Sequence, residues 1–230
     1  MLIAFDLDDT LIDTTGSIMP SRLEKAIGRL MSSGGEFKDS DVALEMLKRL
    51  DETALSAKAS FSEFLEINDI EPDVASDAKA EIYSTNLTGA LVLKRDDVEE
   101  VLDQLSHDHQ LAIVTAGDRQ MQMQKLELAK IPVGLFSTIE ICNVGEKESV
   151  YRGLIDEYQL DPREIIVCGD RIESDLLPAK RLGMTTVHMR WGRGVNSVDR
   201  KEVVDYQIGS VKEIVDIVEH IERCNYLRRI

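Results

Sequence analysis

Two carboxylates, Asp6 and Asp8, stand two positions apart directly after a short apolar run at residues 2–5. An unalternating apolar run of this length is typical of a buried strand in a parallel sheet covered on both faces. Side chains two residues apart in an extended segment point the same way, and open parallel sheets bind ligands at the carboxyl ends of their strands. We therefore expect Asp6 and Asp8 to flank one reacting centre. Because two such acids repel each other, the pair favours a neutralising divalent cation, with one acid as nucleophile and the other as proton carrier.

Two later positions have side chains suited to holding a phosphoryl group. Thr115 directly follows an apolar run at residues 111–114, so its hydroxyl and the backbone N–H groups of Ala116 and Gly117 are expected at the same sheet edge. Lys147 stands just before a helical pattern, and its ammonium would supply positive charge to a transferring phosphoryl group. Together these residue types predict a site for a phosphoryl group.

A second pair of acids follows the apolar run at residues 165–168. Gly169 and Asp170 come directly after this run, and Asp175 follows within the next turn. Glycine lets the backbone turn closely at this point, and carboxylate oxygens are the hard ligands that small divalent ions prefer.

The elements that must position these residues alternate between strands and helices. Buried strands are predicted at residues 2–5, 111–114, 138–142, 165–168 and 185–189. Helical patterns lie between most of them, and apolar residues at helical spacing mark an amphipathic helix over residues 211–221. This alternation predicts an α/β fold with a doubly wound, Rossmann-like, mostly parallel sheet.

A long insertion separates the first two of these strands. The interval from Thr10 to residue 111 spans about a hundred residues, whereas a right-handed crossover needs roughly a dozen plus its helix. Within it, Pro20 can open one helix, residues 42–50 carry a second helical stripe, and residues 72–83 have the composition of a third. An inserted helical domain is therefore predicted.

Composition and charge restrict the partners of the chain. The 27 basic and 43 acidic residues give a formal net charge of −16, which opposes binding to nucleic acid and to anionic membrane surfaces. Three widely spaced cysteines favour neither a disulfide framework nor a zinc site, and they suit a reducing compartment. Because the sequence also shows no leader-like or membrane-spanning apolar segment, we expect a cytoplasmic protein with no nucleic-acid or membrane partner.

These candidate residues, in their order along the chain, resemble the motifs of the haloacid dehalogenase-like hydrolase superfamily. Its four motifs correspond, in chain order, to Phe5–Thr10, Val114–Thr115, Lys147, and Gly169–Asp170 through Asp175. The resemblance implies an α/β core domain over residues 1–16 and 90–230. It also implies that residues 17–89 form a helical cap domain, placed as in relatives similar to phosphoglycolate phosphatase and beta-phosphoglucomutase.

The resemblance also implies a catalytic or binding role for each of these residues. Asp6 would form an aspartyl-phosphate, and Asp8 would protonate the departing alcohol and then activate water. Thr115 and Lys147 would bind phosphoryl oxygens. An acid at position 8 favours phosphate-ester chemistry over attack on carbon–halogen bonds. The implied ligands of a Mg²⁺ cofactor are the Asp6 carboxylate, the main-chain carbonyl of Asp8, Asp170 and Asp175.

Several alternatives stay open from the sequence. Glu148 stands where many relatives have proline, so Lys125 and Lys130 are alternatives to Lys147. Asp175 is a direct ligand, a water-mediated ligand or an orienter of the lysine. Glu173 is an alternative ligand to Asp175, although the spacing favours Asp175. The expected activity is Mg²⁺-dependent hydrolysis of a small phosphorylated metabolite by a monomer or homodimer. The alternatives are a phosphomutase on the same scaffold and a catalytically idle regulator that binds a phosphorylated ligand.

Overall fold

The computed structural model describes residues 1–54, 56–198 and 200–228 of the chain. The chain divides into two compact units, the larger formed by residues 1–13 and 93–230 and the smaller by residues 14–92. This division lies close to the boundaries predicted from the sequence. The role of the smaller unit as a cap stays a prediction.

A six-stranded parallel sheet forms the centre of the larger unit, in the order β5-β4-β1-β6-β7-β8. Strands β2 and β3 form a separate antiparallel pair. The predicted doubly wound, mostly parallel sheet is therefore confirmed, whereas β2, β3 and β8 were not predicted. The strands are β1 (Leu2–Phe5), β2 (Ile12–Asp13), β3 (Leu93–Lys94), β4 (Gln110–Ala116), β5 (Thr138–Cys142), β6 (Ile165–Gly169), β7 (Thr185–Met189) and β8 (Tyr206–Ile208).

Helices connect the strands of the sheet and make up most of the smaller unit. No helix in the described part of the chain is both long and apolar enough to cross a membrane. In chain order the helices are α1 (Thr14–Ser17), α2 (Met19–Ser32), α3 (Ser40–Thr53), α4 (Ala57–Ile67), α5 (Ser76–Tyr83), α6 (Val98–Ser106), α7 (Arg119–Leu128), α8 (Lys147–Tyr158), α9 (Leu177–Arg181) and α10 (Glu213–Arg228).

Strand β1 is buried on both faces, which explains its unalternating apolar sequence. All four of its residues are fully buried. Leu2 and Ala4 belong to a core cluster with Tyr151 of α8 and Ala179 of α9. Since side chains alternate along a strand, Ile3 and Phe5 lie on the opposite face. Position 6 continues the register of Leu2 and Ala4, which directs the first acid toward the face that α8 covers.

The smaller unit has an apolar core of its own, built from α2 to α5. Pro20 lies in the first turn of α2, as the sequence indicates. Helix α4 was not predicted, yet it contributes the fully buried Phe61 and Phe64. In α3 the predicted apolar stripe includes Val42, but this side chain is 66% exposed and Ala43 is buried instead. The buried face of α3 is thus rotated by one residue from the predicted one.

The Asp205 carboxylate binds Thr186 near the start of β7, and this contact predicts that stability depends on pH. Asp205 accepts hydrogen bonds from the Thr186 amide at 2.9 Å and its hydroxyl at 3.0 Å, and it pairs with Lys180. Burial would raise the pKa of Asp205, but the bonds from Lys180 and Thr186 outweigh it and lower the pKa. A pKa lowered by folding contributes stability above the unfolded pKa, and this contribution is lost as the pH falls through the folded value.

We therefore expect Asp205→Asn to lower the free energy of unfolding by about 1–2 kcal/mol at pH 7. The difference from wild type should shrink as the pH falls below about 4. Urea unfolding at several pH values measures both. Asp156→Asn, at an exposed position of α8, is the matched control and should change the unfolding free energy by less than about 0.5 kcal/mol. A loss that does not vary with pH would contradict the prediction.

Candidate active site

Asp6 lies at the carboxyl end of the central strand. Its amide donates to the carbonyl of Cys168 at 2.8 Å, which continues the pairing of β1 with β6 beyond the end of β1. Its carboxylate is 8% exposed and accepts a hydrogen bond from Lys147 Nζ at 2.6 Å. The side chain therefore points toward the start of α8, as its register with Leu2 and Ala4 requires.

Lys147 bridges two carboxylates. It is the first residue of α8, and its Nζ contacts Asp6 Oδ1 at 2.6 Å and Asp175 Oδ1 at 2.8 Å. Of the three lysines considered from the sequence, Lys147 is the one in contact with Asp6. Lys125 contacts Asp8 instead, and Lys130 is exposed just after α7.

Asp170 and Asp175 bring two more carboxylates to the end of the neighbouring strand. A π-helical turn at Ile172–Leu176 directs Asp175 back toward Gly169, and the amide of Arg171 donates to Asp175 Oδ2 at 2.9 Å. One carboxylate oxygen each from Asp6, Asp170 and Asp175 lie within 4.8 Å of one another. Glu173, the alternative to Asp175, is 53% exposed and pairs with Arg200 instead.

Burial and mutual interaction shift the pKa values of the acids and the lysine in this cluster. Desolvation, opposed in part by Lys147, raises the pKa of Asp6 to about 7. Desolvation and the nearby Asp175 also raise the pKa of Asp170 well above its usual range. Burial alone would lower the pKa of Lys147, but Asp175 and Asp6 raise it well above its usual value. Three buried carboxylates thus lie close together, two of them bound to the Lys147 ammonium. This set of oxygen donors fits a small divalent cation such as Mg²⁺.

Asp8 contacts a different set of donors from Asp6. Lys125 Nζ lies 2.7 Å from Asp8 Oδ1 and 2.9 Å from Oδ2, and Gln122 Nε2 donates to Oδ2 at 3.0 Å. Gln122 Nε2 also contacts the buried Thr115 hydroxyl oxygen at 2.6 Å. Asp6 and Asp8 therefore stand next to each other in the chain's first loop, but each carboxylate is bound by its own lysine.

Gln122 is the residue of this site that the sequence analysis missed, and Lys125 was considered only as a substitute for Lys147. Both lie on α7, three positions apart, and are 1% and 4% exposed. Residues at this spacing share one face of a helix. Two polar side chains on the buried face of the helix that follows Thr115 are the sequence signal that could have located them.

The structure corrects one expected phosphoryl contact. The amide of Gly117 donates to the carbonyl of Cys142 at 3.0 Å, so it is engaged in continuing the pairing of β4 with β5. Ala116 is the last residue of β4 and is partly exposed. Thr115 belongs to β4 itself rather than following the strand. The proposed phosphoryl contacts are therefore Thr115, the Ala116 amide and Lys147, without Gly117.

A glycine-containing loop packs behind the acids. A side chain at Gly194 would bring its Cβ within 2.3 Å of the Met189 carbonyl oxygen and 2.8 Å of the Asp170 carbonyl oxygen. His188 Nε2 lies 3.0 Å from the same Asp170 oxygen. The Asp170 carbonyl thus contacts His188 of β7 and lies close to Gly194, in the segment that follows β7.

Comparison with known proteins assigns the chain to a family. Residues 3–189 match the family described as haloacid dehalogenase-like hydrolase. The chain belongs to this family. The resemblance predicted from the motifs and the assignment to the hydrolases are therefore confirmed.

Curated relatives of this hydrolase are phosphatases by name. A glyceraldehyde 3-phosphate phosphatase of Pyrococcus furiosus is 25% identical over 95% of this chain and 92% of its own length. An N-acylneuraminate-9-phosphatase of Mus musculus is 23% identical over 96% of this chain and 94% of its own length.

Solved structures of the superfamily share the fold of this hydrolase. A predicted phosphoglycolate phosphatase from Haemophilus somnus superposes with a TM-score of 0.72 at 19% identity, covering 94% of this chain and 96% of that one. The hydrolase YfnB of Bacillus subtilis, solved bound to magnesium, has a TM-score of 0.67 at 17% identity, covering 94% of this chain and 97% of that one.

The close approach of Asp175 to Gly169 gives a testable prediction. A Cβ at Gly169 would lie 2.7 Å from both Cβ and Oδ2 of Asp175. We expect Gly169→Ala to displace Asp175 from Lys147 and to lower the free energy of unfolding by about 1–3 kcal/mol. Gly153→Ala, in open space on α8, should instead stabilise the protein by about 0.5–1 kcal/mol. Chemical denaturation of both variants tests the contrast, and equal effects would contradict it.

Proposed function

We propose that this hydrolase is a Mg²⁺-dependent phosphatase that cleaves the phosphate monoester of a small metabolite through an aspartyl-phosphate at Asp6. The observation that carries the proposal is the buried Asp6 carboxylate, bound at Oδ1 by Lys147 and close to oxygens of Asp170 and Asp175. This arrangement supplies a nucleophile, a cation for the phosphoryl group and hard ligands for a metal at one edge of the sheet.

Asp6 acts as the nucleophile of the first step. Lys147 holds its Oδ1, so we assign Oδ2 as the attacking atom. A bond forms between Oδ2 and phosphorus while the bond from phosphorus to the ester oxygen breaks. Lys147 and the Thr115 hydroxyl stabilise the charge on the transferring phosphoryl oxygens, since fixed donors aimed at developing charge lower the barrier.

Asp8 carries the proton in both steps. In its protonated form it donates a proton to the departing ester oxygen, which leaves as an alcohol, and Asp8 becomes a carboxylate. It then takes a proton from the water whose oxygen bonds to phosphorus as the bond to Asp6 breaks, releasing inorganic phosphate. The separate environments of the two acids support this division, because different surroundings are what give paired carboxylates different roles.

Asp6, Asp170 and Asp175, with the main-chain carbonyl of Asp8, are the residues that would hold Mg²⁺. The ion, when bound, neutralises the buried carboxylates and polarises a phosphoryl oxygen. Since the pKa of Asp6 is raised to about 7 in the chain alone, a neighbouring cation favours the ionised form that attacks phosphorus.

The substrate class is proposed from chemistry and from the relatives together. The net charge of −16 repels anions at long range, so a phosphorylated substrate depends on local cations such as Lys147. The names of the relatives refer to phosphate esters of small metabolites. Glyceraldehyde 3-phosphate is therefore the first substrate to test, followed by other sugar phosphates, phosphoglycolate and nucleoside monophosphates.

A phosphate-release screen across these esters, with and without Mg²⁺, tests the activity. We expect release only with the metal, and a loss of at least about a thousandfold for Asp6→Asn because an amide is not a nucleophile. Asp13→Asn, another acid of the same unit, serves as a control for the change of an acid to an amide. Absence of release from every ester would reject the proposal. An isomeric phosphate without free phosphate would indicate a phosphomutase, and full cellular function of Asp6→Asn would indicate an idle regulator.

Metal binding can be tested through its effect on the free energy of unfolding, independently of turnover. Saturating Mg²⁺ should raise the unfolding free energy of wild type by about 2–3 kcal/mol at a hundredfold excess over Kd. Asp175→Asn should lose most of this gain, whereas Glu173→Gln, whose side chain pairs with Arg200, should keep it. Thermal unfolding of the three proteins with Mg²⁺ or a chelator measures the difference. Loss of the gain in Glu173→Gln but not in Asp175→Asn would show that the ligand assignment is wrong.

A further inference from the structure

We infer that Gln122 and Lys125 of α7 are positioning residues, which hold Asp8 and Thr115 in one fixed arrangement for proton transfer and phosphoryl binding. The inference rests on the proposed function, because it acts through the roles given there to Asp8 and Thr115. Neither residue belongs to the motifs that identify the family in this sequence.

Lys125 is placed to fix the Asp8 carboxylate rather than to bind a phosphoryl group. Its ammonium contacts both carboxylate oxygens, at 2.7 and 2.9 Å, and its side chain is only 4% exposed. Burial of an ammonium is costly unless a carboxylate compensates it. The bidentate contact therefore restricts both the position and the rotation of the Asp8 side chain, which is itself 25% exposed.

Gln122 connects Asp8 to Thr115. An ionised carboxylate only accepts hydrogen bonds, so the Gln122 atom that faces Asp8 Oδ2 is the amide nitrogen. The same nitrogen lies 2.6 Å from the Thr115 hydroxyl oxygen, which therefore accepts a hydrogen bond from it. The hydroxyl hydrogen of Thr115 must then point away from Gln122, and this leaves it to donate to a phosphoryl oxygen.

The start of α7 is built to hold these two side chains in place. Asp118 caps the helix by accepting a hydrogen bond from the Met121 amide at 2.9 Å. Capping fixes the first turn, from which Gln122 and Lys125 extend on one face. Gly117 leaves room for this arrangement, since a Cβ there would lie 3.3 Å from Gln122 Cδ. The α7 face therefore acts as one rigid support for both functional groups.

The test uses the dependence of turnover on the leaving group. A nitrophenolate departs without a proton, whereas an alkoxide needs one, so misplacing Asp8 should slow alkyl esters selectively. We compare kcat/KM for p-nitrophenyl phosphate with kcat/KM for the alkyl phosphate that wild type hydrolyses fastest. Lys125→Met should lower the value for the alkyl ester at least about tenfold more than the value for the nitrophenyl ester.

The ratio of the two kcat/KM values is measured within one protein preparation, so partial misfolding cancels from it. Lys125→Arg keeps a cation on Asp8 and should restore the ratio toward wild type. Lys130→Met, at the exposed lysine just after α7, should leave the ratio unchanged. A Lys125→Met ratio equal to that of wild type would overturn the inference.

Asp8→Asn separates this failure from failure of the proposed function. If Asp8→Asn is selective against the alkyl ester while Lys125→Met is not, Asp8 carries the proton and Lys125 does not position it. If Asp8→Asn shows no selectivity, the proton-carrying role itself is wrong, and the inference falls with it.

Gln122 has a separate readout in phosphate binding. Gln122→Met should weaken competitive inhibition by inorganic phosphate about threefold to tenfold, because the Thr115 hydroxyl loses the partner that orients it. Gln120→Met, at an exposed position of the same helix, is the matched control and should leave the inhibition constant unchanged. Unchanged inhibition in Gln122→Met would overturn this part of the inference.

Discussion

The constraint on which the rest of the site depends is an excess of buried negative charge where β1 and β6 end side by side. The amide of Asp6 bonds to the Cys168 carbonyl at 2.8 Å, which fixes the register of the two strand ends. Asp6 and Asp170 then emerge next to each other, and the π-helical turn adds Asp175. The Lys147 ammonium contacts Asp6 and Asp175. Parallel pairing at the centre of the sheet thus brings together acids that repel one another.

The repulsion between these buried acids opposes folding, so the surrounding structure must supply enough stabilisation to hold them in place. Burial that raises the pKa of Asp6 to about 7 reflects the cost of holding its charge away from water. The fully buried β1, with α8 and α9 in the core on one of its faces, provides the apolar burial that offsets this cost. Gly169 and Gly194 permit backbone approaches that any side chain would prevent. A fully buried part of the sheet therefore carries charges that are costly to bury, as preorganised sites require.

The sequence predicted the sheet and the acids for the same reason. Unalternating apolar runs define the central strands, and acids directly after such runs meet at the carboxyl edge of the sheet. The short strands were not predicted from the sequence, because β8 has only three residues and β2 and β3 have two residues each. Gln122, and the contact of Lys125 with Asp8, were not predicted because α7 has Met121 and Met123 between its polar residues and shows no clean apolar stripe. The engagement of the Gly117 amide by Cys142 depends on strand pairing, which no local pattern reveals.

Alternation along the strands also explains why the site is divided into two electrostatic compartments. Position 6 shares the face of Leu2 and Ala4, which α8 covers, so its acid meets Lys147. Thr115 alternates with Ala112 and Val114 of that same core and so points to the other face, where Gln122 of α7 contacts it. Asp8 lies beyond the strand end and joins this second compartment through Lys125. Two helices on opposite faces of one sheet thereby give two neighbouring carboxylates different cations, which is the physical condition for one acid to attack while the other carries protons.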